Sequence, residues 1–284
     1  MQSRTARYLD LVHLGKNAWW RYALGALTIA FFWLGLGYLP LILVPEERLA
    51  DPLTGFLMVN FSIFMMLAGL WLTMKLIHRR PLRTLITPEE RVDWQRAAHG
   101  ALPWALLAAL VATAEQWLFP GRYYLSYDAH RFFQFAAAVL VLTPIQSATE
   151  ELIFRGYVLQ GLALLTRRPA LIAAASSLLF AVPHLLNPEV SEHGMLLMTA
   201  NYFTIGMVLS TVALRDGRLE LAIGLHAMNN VFLALIANYE GSALMTESIF
   251  TARELDPWYS LATLALSGLA FHWWIFGRGL RAGA

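Results

Sequence analysis

Six polar side chains stand in otherwise apolar stretches of the chain: Glu150, Glu151 and Arg155 in "EELIFR", His184 in "FAVPH", and His226 and Asn230 in "HAMNN". A charge at the centre of a membrane helix costs roughly 2.5 to 3.5 kcal/mol on insertion scales, so ionisable groups there are functional candidates. Helical spacing separates the two glutamates. Glu151 and Arg155 are four apart and stack on one face, where they can neutralise each other. Glu150, turned by about 100°, faces elsewhere. By the same spacing Phe180 shares a face with His184, and His226 with Asn230. A carboxylate, two imidazoles and a carboxamide have the parts for activating water: Glu150 to take the proton, His184 to hold the water or shuttle a proton, His226 and Asn230 to donate to the oxyanion of an attacked carbonyl. The same residues fit two other roles at this level. Two histidines and a glutamate make a zinc site with an open position, and ionisable groups inside a bundle make a proton relay.

The elements that must position these groups are membrane helices. The chain of 284 residues is 58% hydrophobic and 14% charged, with a mean hydropathy of +0.52, far from the composition of a soluble domain. Crossing a bilayer takes ~20 helical residues, and eight apolar runs qualify: residues 21–44, 55–77, 101–119, 132–165, 169–182, 195–214, 219–237 and 258–276. The fourth is long and the fifth short. No ten-residue alternation marks a β-barrel, so the expected fold is all-α, a polytopic bundle of about eight transmembrane helices. Placing the N-terminus in the cytoplasm puts sixteen Lys and Arg on that side, Arg278 and Arg281 among them. Arg48, Arg122, Arg131 and Arg253 fall on the other side, and Arg155 within a span. The positive-inside rule favours that orientation and brings the C-terminus back to the cytoplasm. No small-x-small cleavage site follows the first span, which is therefore expected to be a retained anchor.

Depth can be counted along the helices. The turn around Arg167 and Pro169 folds the fourth and fifth spans into an antiparallel hairpin. Glu150 then lies ~24 Å from the turn and His184 ~22 Å, level with one another, while His226 lies ~12 Å in from Arg218. The cluster is expected to open toward the cytoplasm. Residues 78–99 form the largest polar segment, and Thr87, Pro88 and Glu90 read as a capping box that starts a surface helix with Leu82, Leu85, Val92 and Trp94 resting on lipid. Glu115 and His272 lie near span ends, within reach of water. Trp19 with Trp20 and Trp273 with Trp274 read as interfacial anchors. Cysteine is absent, which removes disulfides and thiolate chemistry. With no repeat or second soluble segment, residues 1–284 are expected to form a single integral domain.

"EELIFR", "FAVPH" and "HAMNN" resemble, in order and spacing, the EExxxR, FxxxH and HxxxN/D motifs of the CPBP (CAAX protease and bacteriocin-processing) family of intramembrane proteases, which includes the type II CAAX prenyl endopeptidases. The resemblance covers about residues 132–238, the expected catalytic core. It implies an eight-helix endopeptidase without a covalent acyl intermediate. Glu150 would activate water, Glu151 and Arg155 would support it, and His184, His226 and Asn230 would hold water and oxyanion. Zinc is possible for such a family, but a glutamate-dependent site without a cofactor fits a cluster with no third histidine better. The implied partner is a membrane-associated peptide or protein, cut near a C-terminus or within a leader, in contact with the bilayer and with no nucleic acid. Members that act as scaffolds or immunity proteins supply an alternative reading, beside the proton-coupled transporter.

Overall fold

The computed structural model describes residues 3–49, 51–243 and 246–277, so Arg278 and Arg281 of the charge count lie outside the described residues. Among the described residues its frame is eight apolar helices. Six are long and apolar enough to cross a membrane: α1 (Trp19–Leu43), α2 (Pro52–His78), α3 (Trp94–Leu118), α4 (Ala129–Leu162), α6 (Met195–Asp216) and α8 (Pro257–Phe276). Two are shorter, α5 (Pro169–His184) and α7 (Glu220–Leu235). The protein is an all-α polytopic membrane protein. Its outward face is apolar, with Leu27, Trp19, Leu165 and Trp273 among the exposed side chains, which is what a lipid solvent allows.

Aspartates start four of the helices. Asp51, Asp93, Asp128 and Asp256 each occupy the N-cap of α2, α3, α4 and α8, and their carboxylates accept from backbone N–H groups of the first turn, satisfying donors that have no carbonyl partner. Pro169 opens α5 at its first helical position, where a missing N–H costs nothing. Gly217 closes α6 with φ at 75°, a conformation that a Cβ would strain.

The buried centre is α7. Every residue from Glu220 to His226 is buried, and α3 and α4 flank it. Two glycines let α3 and α7 approach backbone to backbone: a Cβ at Gly100 would collide with the Leu221 carbonyl, and one at Gly224 with that of Ala97. Close approach through small residues is the usual way helices associate where lipid tails are as apolar as leucine. Helix α6 packs along α5 in the same manner, Gly206 lying against Ser177. The main apolar cluster draws on α3 to α8, with Trp104, Leu159, Ile172, Leu209, Leu225 and Phe271 at its middle. Helices α1 and α2 pack on the later half of α4 through Ile29, Met66, Leu70, Ile153 and Tyr157.

Three short strands lie in the loops at the end of the bundle where α3 finishes and α4 and α8 begin. They are β1 (Tyr123–Leu125), β2 (Ala237–Tyr239) and β3 (Phe250–Ala252), in the order β1, β3, β2, with β1 antiparallel to β3 and β2 parallel to it.

The connector between α2 and α3 differs from the expected surface helix. Only a single 3-10 turn forms, over Leu82–Leu85, and α3 begins at Trp94 behind Asp93. Thr87 is fully buried and accepts from Glu89 N–H at 3.3 Å rather than from Glu90. Leu85 is buried against Gly156 instead of lying on lipid. Its carbonyl takes the Tyr8 hydroxyl at 2.7 Å, the Ile86 carbonyl takes Leu219 N–H at 2.8 Å, and Arg80 reaches the Leu11 carbonyl at 3.0 Å. The connector is thus stitched between the N-terminal helix (Arg4–Asp10), α4 and α7. With its backbone groups satisfied by these long-range partners and Asp93 as a competing cap, a helix starting at Thr87 has nothing to gain.

Candidate active site

The motif residues converge where α4, α5 and α7 meet. Just past Glu151, α4 changes winding: Leu152–Val158 form a π-helix, a departure common at functional sites. Within this wider turn Arg155 points back at Glu151, and the two form an ion pair of 2.8 Å with both side chains fully buried. The guanidinium is held on further sides by the Gly206 carbonyl at 3.2 Å, the Ser210 hydroxyl at 3.4 Å and the face of Phe180, whose ring centre is 4.3 Å from the guanidinium carbon. Two helices besides its own therefore fix Arg155, and the contact with Phe180 is a cation–π interaction.

Glu151 has a second partner that spacing along α4 did not suggest. The Oε1 atom that takes Arg155 also lies 2.8 Å from Nδ1 of His226. A carboxylate accepts only, so Nδ1 carries the proton, and the ring is oriented with Nε2 toward Glu150. That nitrogen is 3.8 Å from Glu150 Oε2, too long for a direct hydrogen bond and short enough for one water to touch both. Glu150 is buried, at 8% exposure, and its Oε1 accepts weakly from Nε2 of Gln146, one turn earlier, at 3.4 Å. The other oxygen of Glu151, Oε2, is buried without a hydrogen-bond partner.

His184 ends α5, partly exposed. Its Nδ1 donates to the Phe180 carbonyl at 2.8 Å, leaving Nε2 as the free nitrogen. Its ring lies 4.6 Å from that of Phe180 and 4.8 Å from that of Tyr202 on α6, and it is within electrostatic reach of Glu150 and His226. Phe180 thus touches His184, His226 and Arg155 at once. Asn230 lies one turn beyond His226. Its Oδ1 accepts from Asn229 at 3.1 Å and its Nδ2 reaches the buried Ser147 hydroxyl at 3.4 Å, while Asn229 is anchored by the indole N–H of Trp104 at 3.1 Å.

Glu150, Glu151, Arg155 and His226 therefore form one contiguous polar cluster, with His184 beside it across Phe180 and Asn230 at its edge. The surrounding shell of Gln146, Ser147, Asn229, Tyr202 and Ser210 was not legible from spacing across helices. Three of these carried a signal along their own helices: Gln146 is four residues before Glu150, Ser147 four before Glu151, and Asn229 three after His226. Among the described residues no three His, Asp or Glu side chains converge as a metal-ligand set. Glu151 Oε1 and the Nδ1 atoms of His184 and His226 are already engaged with protein partners.

Three comparisons bear on the chain. The profile of the Rce1-like type II CAAX prenyl endopeptidases matches residues 131–232, the stretch that carries all six residues. An uncharacterized protein named YyaK, from Bacillus subtilis strain 168, is 32% identical over 270 residues, covering 89% of this chain and 90% of the relative. No solved structure matches it.

Proposed function

Because the chain belongs to the Rce1-like family of type II CAAX prenyl endopeptidases, an integral membrane, CAAX-type protease family, we propose that it hydrolyses a peptide bond of a membrane-associated substrate with a water activated by Glu150. The observation that carries this reading is the 3.8 Å gap between Glu150 Oε2 and His226 Nε2, a place for one water flanked by a base and a ring nitrogen. Glu150 takes a proton as the water oxygen attacks the scissile carbonyl carbon. The carbonyl oxygen becomes an oxyanion, to which the amide N–H of Asn230 donates. Collapse of the tetrahedral adduct re-forms the carbonyl and breaks the C–N bond, and Glu150 returns the proton to the leaving amine.

Glu151 and Arg155 do not touch the reacting atoms in this scheme. Their role is to hold the His226 ring, since Nδ1 bonded to Glu151 leaves Nε2 facing the water. His184, with its Nδ1 tied to a backbone carbonyl, presents Nε2 for the water or a proton in transit. The basic residues of the α2–α3 connector and the α4–α5 turn favour a cytoplasmic N-terminus.

The test is cleavage by the purified, reconstituted protein of a panel of prenylated C-terminal peptides and unprenylated leader peptides, wild type against Glu150→Gln. A loss of at least about a hundredfold in the variant is expected for removal of a general base. Equal turnover by the two proteins would overturn the assignment.

A further inference from the structure

A second cavity, of about 270 Å³, lies between α3, α6, α7 and α8 at the end of the bundle closed by the small sheet. Glu150, His184, His226 and Asn230 do not line it, although Asn229 and Tyr202 of the shell around them do. Its deeper walls are apolar and aromatic, with Trp104, Ile205 and Leu264 facing one another. Its mouth is acidic. Glu115, Glu254 and Asp256 line it, and Arg122 is the cation they share, at 2.9, 3.7 and 3.5 Å. Three carboxylates against one guanidinium leave net negative charge, and the neighbouring Arg253 is turned onto the Tyr124 ring.

An independent observation lies just inside. Asn201 lines the cavity and is 5% exposed. Its amide nitrogen donates to the carbonyls of Leu197 and Pro257, both at 3.1 Å, but its Oδ1 is buried with no donor. A buried acceptor without a partner costs about 1–3 kcal/mol, and the side chain that carries this one lines the same cavity as Asp256. An N–H-bearing cation satisfies the oxygen and the acids together, whereas an anion meets repulsion and a plain alkane leaves the oxygen bare.

We propose that this cavity binds a cationic amphiphile: a primary ammonium head at Asn201, Glu115 and Asp256, with an alkyl chain running inward between Ile205, Leu264 and Trp104. A soluble long-chain amine and a phosphatidylethanolamine from the bilayer offer that same head. Binding requires no turnover, so it stands or falls separately from proteolysis.

The test is photolabelling of the full chain in nanodiscs of phosphatidylglycerol, using decylammonium with a diazirine in its chain, the labelled peptides being read by mass spectrometry. Labels are expected on the cavity-facing residues of α3, α6 and α8. Excess decylammonium, or phosphatidylethanolamine included in the nanodisc, should reduce them about tenfold, and decyl sulfate should not. Competition by the amine alone marks a soluble ligand, and competition by the lipid as well marks a bilayer source; either supports the site. Asn201→Leu and Asp256→Asn should each weaken labelling about fivefold; asparagine keeps the helix cap. Labels confined to lipid-facing residues, equal competition by decyl sulfate, or unchanged labelling in both variants would overturn the proposal.

Discussion

Nδ1 of His226 and Oε1 of Glu151 are 2.8 Å apart, and that oxygen is the one that also receives Arg155. The ion pair of α4 is therefore the mount for the imidazole of α7. Charge neutralisation and ring orientation rest on a single atom.

Removing that atom should cost both stability and activity. Glu151→Ala leaves a fully buried guanidinium unpaired, a loss of roughly 3 to 5 kcal/mol, and frees His226 to rotate. Replacing both partners with apolar residues, Glu151→Leu with Arg155→Met, should recover much of the thermal stability, because the charge left uncompensated by the single change is gone. Peptidase activity should stay lost in both proteins. Recovery of activity in the double variant would show that orienting His226 is not what the pair is for.

Phe180 separates three polar groups while touching all of them. Phe180→Leu preserves bulk but removes the ring under Arg155, a contact of about 0.5 to 2 kcal/mol, and the partner of both imidazoles. A fall in kcat of about tenfold is expected, with KM little changed. A normal kcat would reduce Phe180 to filler.

Tyr202 positions His184 from α6, stacking on its ring at 4.8 Å while its hydroxyl accepts from Asn187 at 3.0 Å. Tyr202→Phe keeps the stack and should retain most activity; Tyr202→Ala removes an aromatic pair worth about 0.5 to 1.5 kcal/mol and should lower kcat several-fold. If the phenylalanine variant were the poorer of the two, the hydroxyl and not the stack would be the working part.

Gly224→Ala tests how α7 is held. The added methyl would meet the Ala97 carbonyl, and overpacking of this kind costs about 1 to 3 kcal/mol. Lower thermal stability is expected together with reduced activity, since His226 sits two residues on. Stability equal to wild type would mean that α3 yields at no cost.

The sequence carried the spans and the local pairs well. Helical spacing alone pairs Glu151 with Arg155, because that pairing depends only on pitch along one helix. What depends on how helices are rotated against each other was not legible. The second partner of Glu151 follows from the turn of α7 about its axis, and that turn is set by Gly100 and Gly224 in contact with backbone. The connector was misread for a similar reason. Thr87, Pro88 and Glu90 have the local pattern of a helix start, but the backbone around them is claimed by Tyr8 and Leu219, far away in sequence.

The π-helical turn over Leu152–Val158 lets α4 carry one residue more than regular winding would over the same rise. Deleting one of Leu152, Ile153 or Phe154 would let the turn relax into regular winding while the helix on either side keeps its facing, and would shorten the spacing of Glu151 and Arg155 from four residues to three. Relatives that keep the four-residue spacing of Glu151 and Arg155 should keep the wider turn, with Arg155 among the residues they share and the apolar positions around it free to differ.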